Sequence, residues 1–293
     1  MQITDADLQR YKKIICEIAR SFDNFCTVHN LRYFGIGGTA IGAIRHKGII
    51  PWDDDIDFVM PRKDYDQFLS LSKTELDSQY EVFSHHNYAL YHLSMAKMCK
   101  ANTSLLPSRQ IRIMLGAFID IFPMDGLPDT DKEGRIEYFN NYQLIRHKAE
   151  AVSKFYTIRS IFSSIKHRNW EELRNQFISH WYHIRGKHND LFDQCDRILK
   201  SYPFDDAQYV AYFGTNRSAK IISPKSWFDD YYYAPFEDFE IRLPIGIHQY
   251  LSQVFGDYMK LPNPEDRSSG HSFVYLNLEK RYSWEEAKKL HLI

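Results

Sequence analysis

The chain has 293 residues, enough to bury a substantial core in one large domain or two modest ones. Its formal net charge of −1 lacks the basic excess of a general nucleic-acid-binding protein, so we expect no nucleic-acid partner. The four cysteines lie far apart and include no CxxC pair, which argues against a zinc signature or a dense disulfide framework. The N-terminus lacks the basic and apolar regions of a signal peptide, and no stretch approaches the ~18 apolar residues of a membrane span, so we expect a cytoplasmic protein.

The first elements follow from apolar spacing. Residues recurring every three or four positions predict a long amphipathic helix over 5–29, with Thr4 and Asp7 as a capping pair. A short strand over 32–36 should end in a tight turn at Gly37 and Gly38. Residues 39–46 suit a short helix that begins beside that turn.

Further strands and one helix are predicted up to residue 131. We expect a strand over 55–60, after which Pro61 opens a helix. The remaining strands are predicted over 81–83, 92–99 and 116–122, the last closed by Pro123 and a turn at 125–128.

The amino-acid composition of the chain changes at about residue 132. Residues 132–200 contain no proline and are dense in basic and aromatic residues, which predicts several helices. The C-terminal third returns to short strands and turns, with a helix over 246–254. We therefore predict an α+β fold, with a mixed sheet flanked by helices, and three parts: a catalytic core over 1–131, a helical insertion over 132–200, and residues 201–293 completing the catalytic domain.

The helical insertion is also the candidate membrane contact. Basic residues alternate there with aromatic and apolar ones, and a helix of this kind can rest on a membrane surface. The alternatives are a solvated helix face, which we prefer, and peripheral contact with the inner face of the membrane. The basic residues concerned are Lys148, Lys154, Arg159, Lys166 and Arg168.

The acidic run 53–57 is the strongest chemical signal. On a strand, Asp55 and Asp57 point to the same face, with Asp53 near the same edge and Asp54 out of register. Adjacent carboxylates repel unless a cation lies between them, and oxygen ligands suit Mg²⁺ or Mn²⁺. The alternative is a solvated acidic loop, against which stand the apolar segments on both sides. We predict a metal site formed by Asp53, Asp55 and Asp57.

Asp120 is a second anomaly, because it interrupts the apolar run 118–122. A carboxylate facing a core is costly unless it is paired or bound to metal. Either Asp120 caps a turn at a strand end, or it adds a further carboxylate to the metal site from a neighbouring strand. A phosphoryl-transfer site favours the second interpretation.

The glycine turn has two interpretations. Residues 35–40 fit G-x-G-x-x-A, the dinucleotide-binding fingerprint, but the carboxylates that follow would repel a pyrophosphate without metal, and we reject it. We expect the turn instead to bind phosphate through backbone N–H groups. The residues assigned to donor phosphate are Gly37, Gly38, Thr39, Arg45, His46 and Lys47, the last three alternatively forming a solvated helix end.

Residues 38–57, from the glycine turn through the basic run to the acidic cluster, resemble the LicD family of phosphocholine transferases. That family is related to the fukutin-type transferases and shares the nucleotidyltransferase fold. Residues 119–126, the segment 255–262, Arg267 and His271 fit the same pattern. The matching blocks span 33–68, 117–128 and 235–272, and Phe255 stands where tyrosine is expected.

The resemblance implies a donor, an acceptor and a role for each of the candidate site residues. The donor would be a CDP-activated alcohol, typically CDP-choline, and the acceptor a hydroxyl of a glycan or lipid-linked glycan such as a lipopolysaccharide or teichoic acid precursor. CMP would leave. Catalysis would rest on Asp55, Asp57 and Asp120, with metal held by these and Asp53. Asp120 is the candidate proton acceptor, and Arg267 and His271 are candidate phosphate or acceptor contacts.

Two other functions stay open at this stage. A true nucleotidyltransferase would use the same metal site but transfer a nucleotide monophosphate. A non-enzymatic binding module would keep the fold as an interaction surface, against which the intact set of aspartates argues.

Overall fold

The structure, a computed structural model, describes residues 4–186, 190–214, 218–267 and 273–293. The helices are α1 Asp5–Val28, α2 Gly37–Ile41, α3 Arg62–Leu71, α4 Lys132–Ser153, α5 Ile158–Lys166, α6 Trp170–Ile184, α7 Asp190–Leu199, α8 Ile247–Phe255 and α9 Trp284–Lys289. The strands are β1 Phe34–Gly35, β2 Asp57–Pro61, β3 Tyr80–Phe83, β4 Ala96–Lys100, β5 Ser104–Leu106, β6 Phe118–Gly126, β7 Tyr209–Tyr212, β8 Ser223–Pro224, β9 Tyr231–Phe236, β10 Phe239–Pro244 and β11 Tyr275–Asn277.

A mixed sheet lies at the centre of the fold, in the order β1-β2-β6-β4-β3. β2 and β6 are parallel, and the other neighbours in this path are antiparallel. β7 pairs with the far end of β6 and β8 with β7, so a strand from the C-terminal third joins the same sheet. The predicted α+β class, with a mixed sheet flanked by helices, is confirmed.

Helix α1 begins and ends as its apolar spacing predicts. The Thr4 side chain accepts a hydrogen bond from the Asp7 N–H and caps the first turn. The ring of Phe22 then stacks on that of Phe58 in β2 at 5.1 Å and meets Phe68 in α3 edge-on at 5.3 Å. This aromatic cluster fixes α1 and α3 against the strand that carries the acidic run.

Several strand boundaries differ from those predicted. β1 has two residues rather than five, and β4 begins at Ala96 rather than at 92. β2 begins at Asp57, so Asp53 and Asp55 lie in the irregular segment before it. The alternation argument used to align Asp55 with Asp57 therefore does not apply, because only Asp57 is in the strand.

The prediction that Pro123 ends its strand was wrong, because β6 continues to Gly126. Pro123 lies between the partner strands on one edge of β6: the β4 register ends at Ile121, and the β7 register begins at Met124. A proline, which has no N–H, is tolerated at such a position.

The helices agree better with the sequence. α3, the helices within 132–200 and α8 occupy the predicted regions. The short helix after β1 begins two residues early, at Gly37, and continues as a π-helical segment over Gly42–His46. The division of the chain into three parts stays a prediction. Within the described residues, no helix combines the length and apolarity needed to cross a bilayer.

Candidate active site

Two aspartates lie side by side where β2 and β6 run parallel to each other. Asp57 begins β2, and Asp120 is its direct partner in the parallel register. The Asp120 N–H donates to the Ile56 carbonyl at 2.9 Å, which fixes the backbones beside the two side chains. The pairing predicted between the acidic run and Asp120 on a neighbouring strand is therefore present in the structure.

The glycine turn packs against this pair. Gly37 has φ +57°, a left-handed conformation that glycine adopts without strain. A Cβ built on Gly38 would lie 2.6 Å from an Asp53 carboxylate oxygen, so any side chain there would displace Asp53. The Thr39 hydroxyl accepts the Asp57 N–H at 2.7 Å. Thr39 thus anchors the first residue of β2, and Gly38 leaves room for the Asp53 carboxylate.

The centre is dense in negative charge. Burial raises the pKa of Asp57 well above its usual value, and the carboxylates of Asp55, Asp120 and Asp53 raise it further. The same field reaches Tyr11 in α1, whose pKa burial raises, with added contributions from Asp54 and Asp120. A group of carboxylates placed together in this way fits a divalent cation.

Lys97 is a buried charged residue at this centre that sequence reasoning missed. It is 5% exposed, pairs in register with Asp120 across β4 and β6, and forms an ion pair with the Asp120 carboxylate. Its ammonium also lies 3.5 Å from the Phe118 ring centroid. The available signal was a lysine between Ala96 and Met98 in an apolar strand.

The predicted phosphate contacts form a cluster around Trp52. The guanidinium carbons of Arg45 and Arg267 lie 6.0 and 5.1 Å from the Trp52 ring. Arg45 also donates to the carbonyl of Tyr258 at 2.7 Å. Burial lowers the pKa of Arg45, and Arg267 lowers it further. Two guanidiniums beside Trp52, adjacent in sequence to Asp53, form a site suited to an anion.

His46 also lies beside Trp52, with the ring centroids 5.7 Å apart. The remaining predicted contacts take different positions. His46 accepts a hydrogen bond from Arg45 Nε at 2.9 Å, and its pKa is lowered by burial and by Arg45. This favours a neutral imidazole that positions Arg45. Lys47 is exposed at the end of the π-helical segment, with φ +59°. His271 lies outside the described residues.

A second cluster lies near the opposite ends of β2 and β6. Arg62 and Asp125 form a buried bidentate ion pair with both contacts at 2.7 Å, and Arg62 also reaches Asp196. His86 Nε2 lies 2.9 Å from Asp196.

Part of this second cluster could hold a metal ion. Candidate ligand atoms of His85, His86 and Asp193 lie within 4.8 Å of one another. Imidazole with carboxylate is a donor set that suits zinc better than magnesium. Sequence reasoning singled out none of these residues, because α7 brings Asp193 to the histidines from more than a hundred positions away.

Comparison with known proteins gives one match over most of the chain. The chain is 31% identical over 273 residues to the lipopolysaccharide cholinephosphotransferase LicD of Haemophilus influenzae, covering 89% of this chain and 95% of that protein. A family model described as LicD/FKTN/FKRP, nucleotidyltransferase domain, matches residues 30–159. An uncharacterised protein of Rickettsia typhi is 35% identical over 68 residues, which are 21% of this chain and 22% of that protein.

Proposed function

The chain belongs to the LicD family, and on that premise we propose that it transfers phosphocholine from CDP-choline to a hydroxyl of lipopolysaccharide or its lipid-linked precursor. It is an enzyme of the cholinephosphotransferase type. The observation that carries the proposal is the register pairing of Asp57 with Asp120 beside the glycine turn. In the reaction the acceptor oxygen attacks the phosphorus that bears choline, the bond to the bridging oxygen breaks, and CMP leaves with the electron pair.

Asp53, Asp55, Asp57 and Asp120 would hold the cation that this transfer needs. The raised pKa of Asp57 supports this, because the neighbouring carboxylates make its charged form unfavourable until a cation is present. When bound there, Mg²⁺ or Mn²⁺ would neutralise the negative charge of the pyrophosphate.

Asp120 is our candidate for the group that takes the proton from the acceptor hydroxyl. Its carboxylate contacts buried Lys97 and lies in register beside Asp57, within the group of carboxylates where the donor phosphate would bind. The contact also holds the Asp120 side chain in one orientation. Lys97 is therefore proposed as a positioning residue.

The donor phosphates are assigned to the glycine turn and to the Arg45–Arg267 pair. Gly37, Gly38 and Thr39 present backbone without bulky side chains next to Asp53 and Asp57. Arg45 and Arg267 supply positive charge beside Trp52. Lys47 stays a candidate phosphate contact through its exposed side chain. His46 acts in this scheme through Arg45.

The test is incubation with CDP-choline, purified lipopolysaccharide and Mg²⁺, followed by analysis of both products. We expect CMP release together with phosphocholine on the lipopolysaccharide. A cytidylylated acceptor with free phosphocholine would instead identify a nucleotidyltransferase. Other CDP-alcohols in parallel reactions identify the alcohol.

Variants connect the activity to the cation. Asp55→Ala with Asp57→Ala should lose Mg²⁺ binding and lower turnover by roughly a hundredfold or more, because the site then cannot stabilise charge on the phosphates. The double variant His85→Ala with His86→Ala tests the second cluster independently of the aspartates. The exposed substitution Asp129→Asn is the matched control. Loss of Mg²⁺ binding in the histidine variant alone would move the catalytic cation to that cluster.

A further inference from the structure

Helices α5 and α6 expose many of their large apolar side chains, although Ile178 and Tyr182 of α6 pack against the core. Among their described side chains, the fully buried ones are Ser164, Gln176 and Ser179. Gln176 donates to the Ser164 hydroxyl at 2.9 Å, which joins the two helices through a buried hydrogen bond. A helix on the surface of a water-soluble domain turns its apolar stripe to the core and a polar face to water, so a second apolar stripe on the outward face needs a cause.

The outward face forms one apolar stripe on each helix. In α5 the exposed residues are spaced by four and three positions, and in α6 by seven, four and three, so each set lies on one side of its helix. We call them together the α5–α6 apolar stripe: Ile158, Phe162, Ile165, Trp170, Phe177, Trp181 and Ile184, each between 46% and 74% exposed.

Positive charge surrounds this stripe. Residues 154–186 contain six lysines and arginines against two glutamates, whereas the whole chain has a net charge of −1. Lys166, Arg168, Arg174 and Arg185 are exposed. The Arg185 guanidinium carbon lies 4.3 Å from the Trp181 ring centroid, so a positive charge lies directly beside an aromatic residue of the stripe.

We propose that the α5–α6 apolar stripe docks on the surface of a bilayer that contains anionic phospholipid. Tryptophan and phenylalanine enter the boundary between headgroups and acyl chains, while the flanking arginines and lysines contact lipid phosphate. The basic excess selects this occupant, because an apolar protein partner would not require it. The exposure of these large apolar side chains is explained, since the bilayer would cover them.

The stripe is joined to the candidate active site. Lys154 follows α4 directly and begins the segment that leads into α5. Burial, together with the positive charges of Lys97 and Lys154, lowers the pKa of buried His92 to about 3. Lys97 is the partner of Asp120. The segment that leads into α5 is therefore coupled through His92 to the charged residues around Asp120.

The experiment is flotation of the full chain with vesicles. One set is phosphatidylcholine alone, and the other is about three parts phosphatidylcholine to one part phosphatidylglycerol. We expect binding to the anionic vesicles that weakens as salt is raised. Phe162→Ser with Trp181→Ser should lower the partition coefficient by about tenfold or more, because two large side chains no longer enter the lipid. Lys166→Glu with Arg168→Glu should reduce binding to anionic vesicles only.

Matched controls separate docking from folding. Val28→Ser with Leu290→Ser removes two apolar residues that are 79% and 55% exposed elsewhere, and should leave binding unchanged. Thermal unfolding should be unaltered in every variant, since all the positions are exposed. Equal flotation of wild type and Phe162→Ser/Trp181→Ser would overturn the proposal. So would concentration-dependent self-association without vesicles that this variant abolishes, which would make the stripe a contact between copies. Neither result bears on CMP release, so the proposed function is tested separately.

Discussion

At the scale of the residue, crowded negative charge dominates the candidate site. Asp57 has a pKa raised by burial and by three neighbouring carboxylates, and Lys97 is the cation that opposes this. The folded protein therefore holds a proton on Asp57 more tightly than the unfolded chain does. This contribution to stability is fully present below the ordinary aspartate pKa and is lost as pH rises through the raised value.

Asp57→Asn should consequently stabilise the metal-free protein at neutral pH. With EDTA present we expect a gain of about 1 kcal/mol, or roughly 2–4 °C in Tm, because an uncharged amide replaces a repelled carboxylate. In EDTA, the difference in Tm between Asp57→Asn and wild type should disappear as the pH is lowered towards 4. With Mg²⁺ the order should reverse, since only wild type gains from binding.

Thermal unfolding across pH, with and without EDTA, measures both effects. The exposed Asp129→Asn substitution controls for a change of net charge alone. A metal-free Asp57→Asn protein less stable than wild type at pH 7 would contradict the prediction.

At the scale of the element, the glycine turn and β2 act as one unit. The Thr39 hydroxyl receives the Asp57 N–H, and Gly38 leaves room for the Asp53 carboxylate. The turn thus controls where two of the carboxylates sit, although it contributes no charged side chain itself.

Gly38→Ala should displace Asp53 while the fold is retained. The added methyl would lie 2.6 Å from a carboxylate oxygen, an overlap that costs about 1–3 kcal/mol. We expect weaker Mg²⁺ binding and lower CMP release, measured by titration calorimetry and by product analysis. Adding Asp53→Ser should restore Tm but not activity. Full activity in Gly38→Ala would show that Asp53 tolerates movement.

Helices and strands could be predicted from the sequence where local periodicity determines their bounds. The bounds of α1 follow from apolar spacing and a capping threonine, both of which act within a few residues. Strand ends depend on partners distant in the chain, which is why β1 was predicted too long and β6 too short. The site shows the same limit: the acidic run was evident, but the Lys97–Asp120 pair required knowing that β4 lies beside β6.

At the scale of the whole molecule, one buried ion-pair network joins segments that are far apart in the chain. Arg62 at the start of α3 contacts Asp125 near the end of β6 and Asp196 in α7. The network connects the central sheet to the helical segment 132–200. Its residues are buried, so each charge depends on its partners.

Arg62→Met should destabilise the protein by about 3–5 kcal/mol, because it leaves Asp125 buried without its partner. A fall in Tm of about 10 °C is the expected size. Asp125→Leu in the same chain should recover part of the loss, since an apolar pair of similar volume needs no counter-charge. A Tm unchanged by Arg62→Met would mean that water reaches Asp125.

Because Asp57 and Asp120 come together only in the observed parallel register, the proposed cation site also reports whether β2 and β6 are correctly paired. Side chains alternate along a strand, so a slip of one residue between β2 and β6 would turn Asp120 to the opposite face. A chain that slipped in this way could keep its helices and much of its sheet, and circular dichroism would hardly distinguish it. With the cation at the proposed site, the stoichiometry of Mg²⁺ binding would distinguish it, because the fraction of refolded molecules that bind Mg²⁺ would count those whose two central strands have met in register.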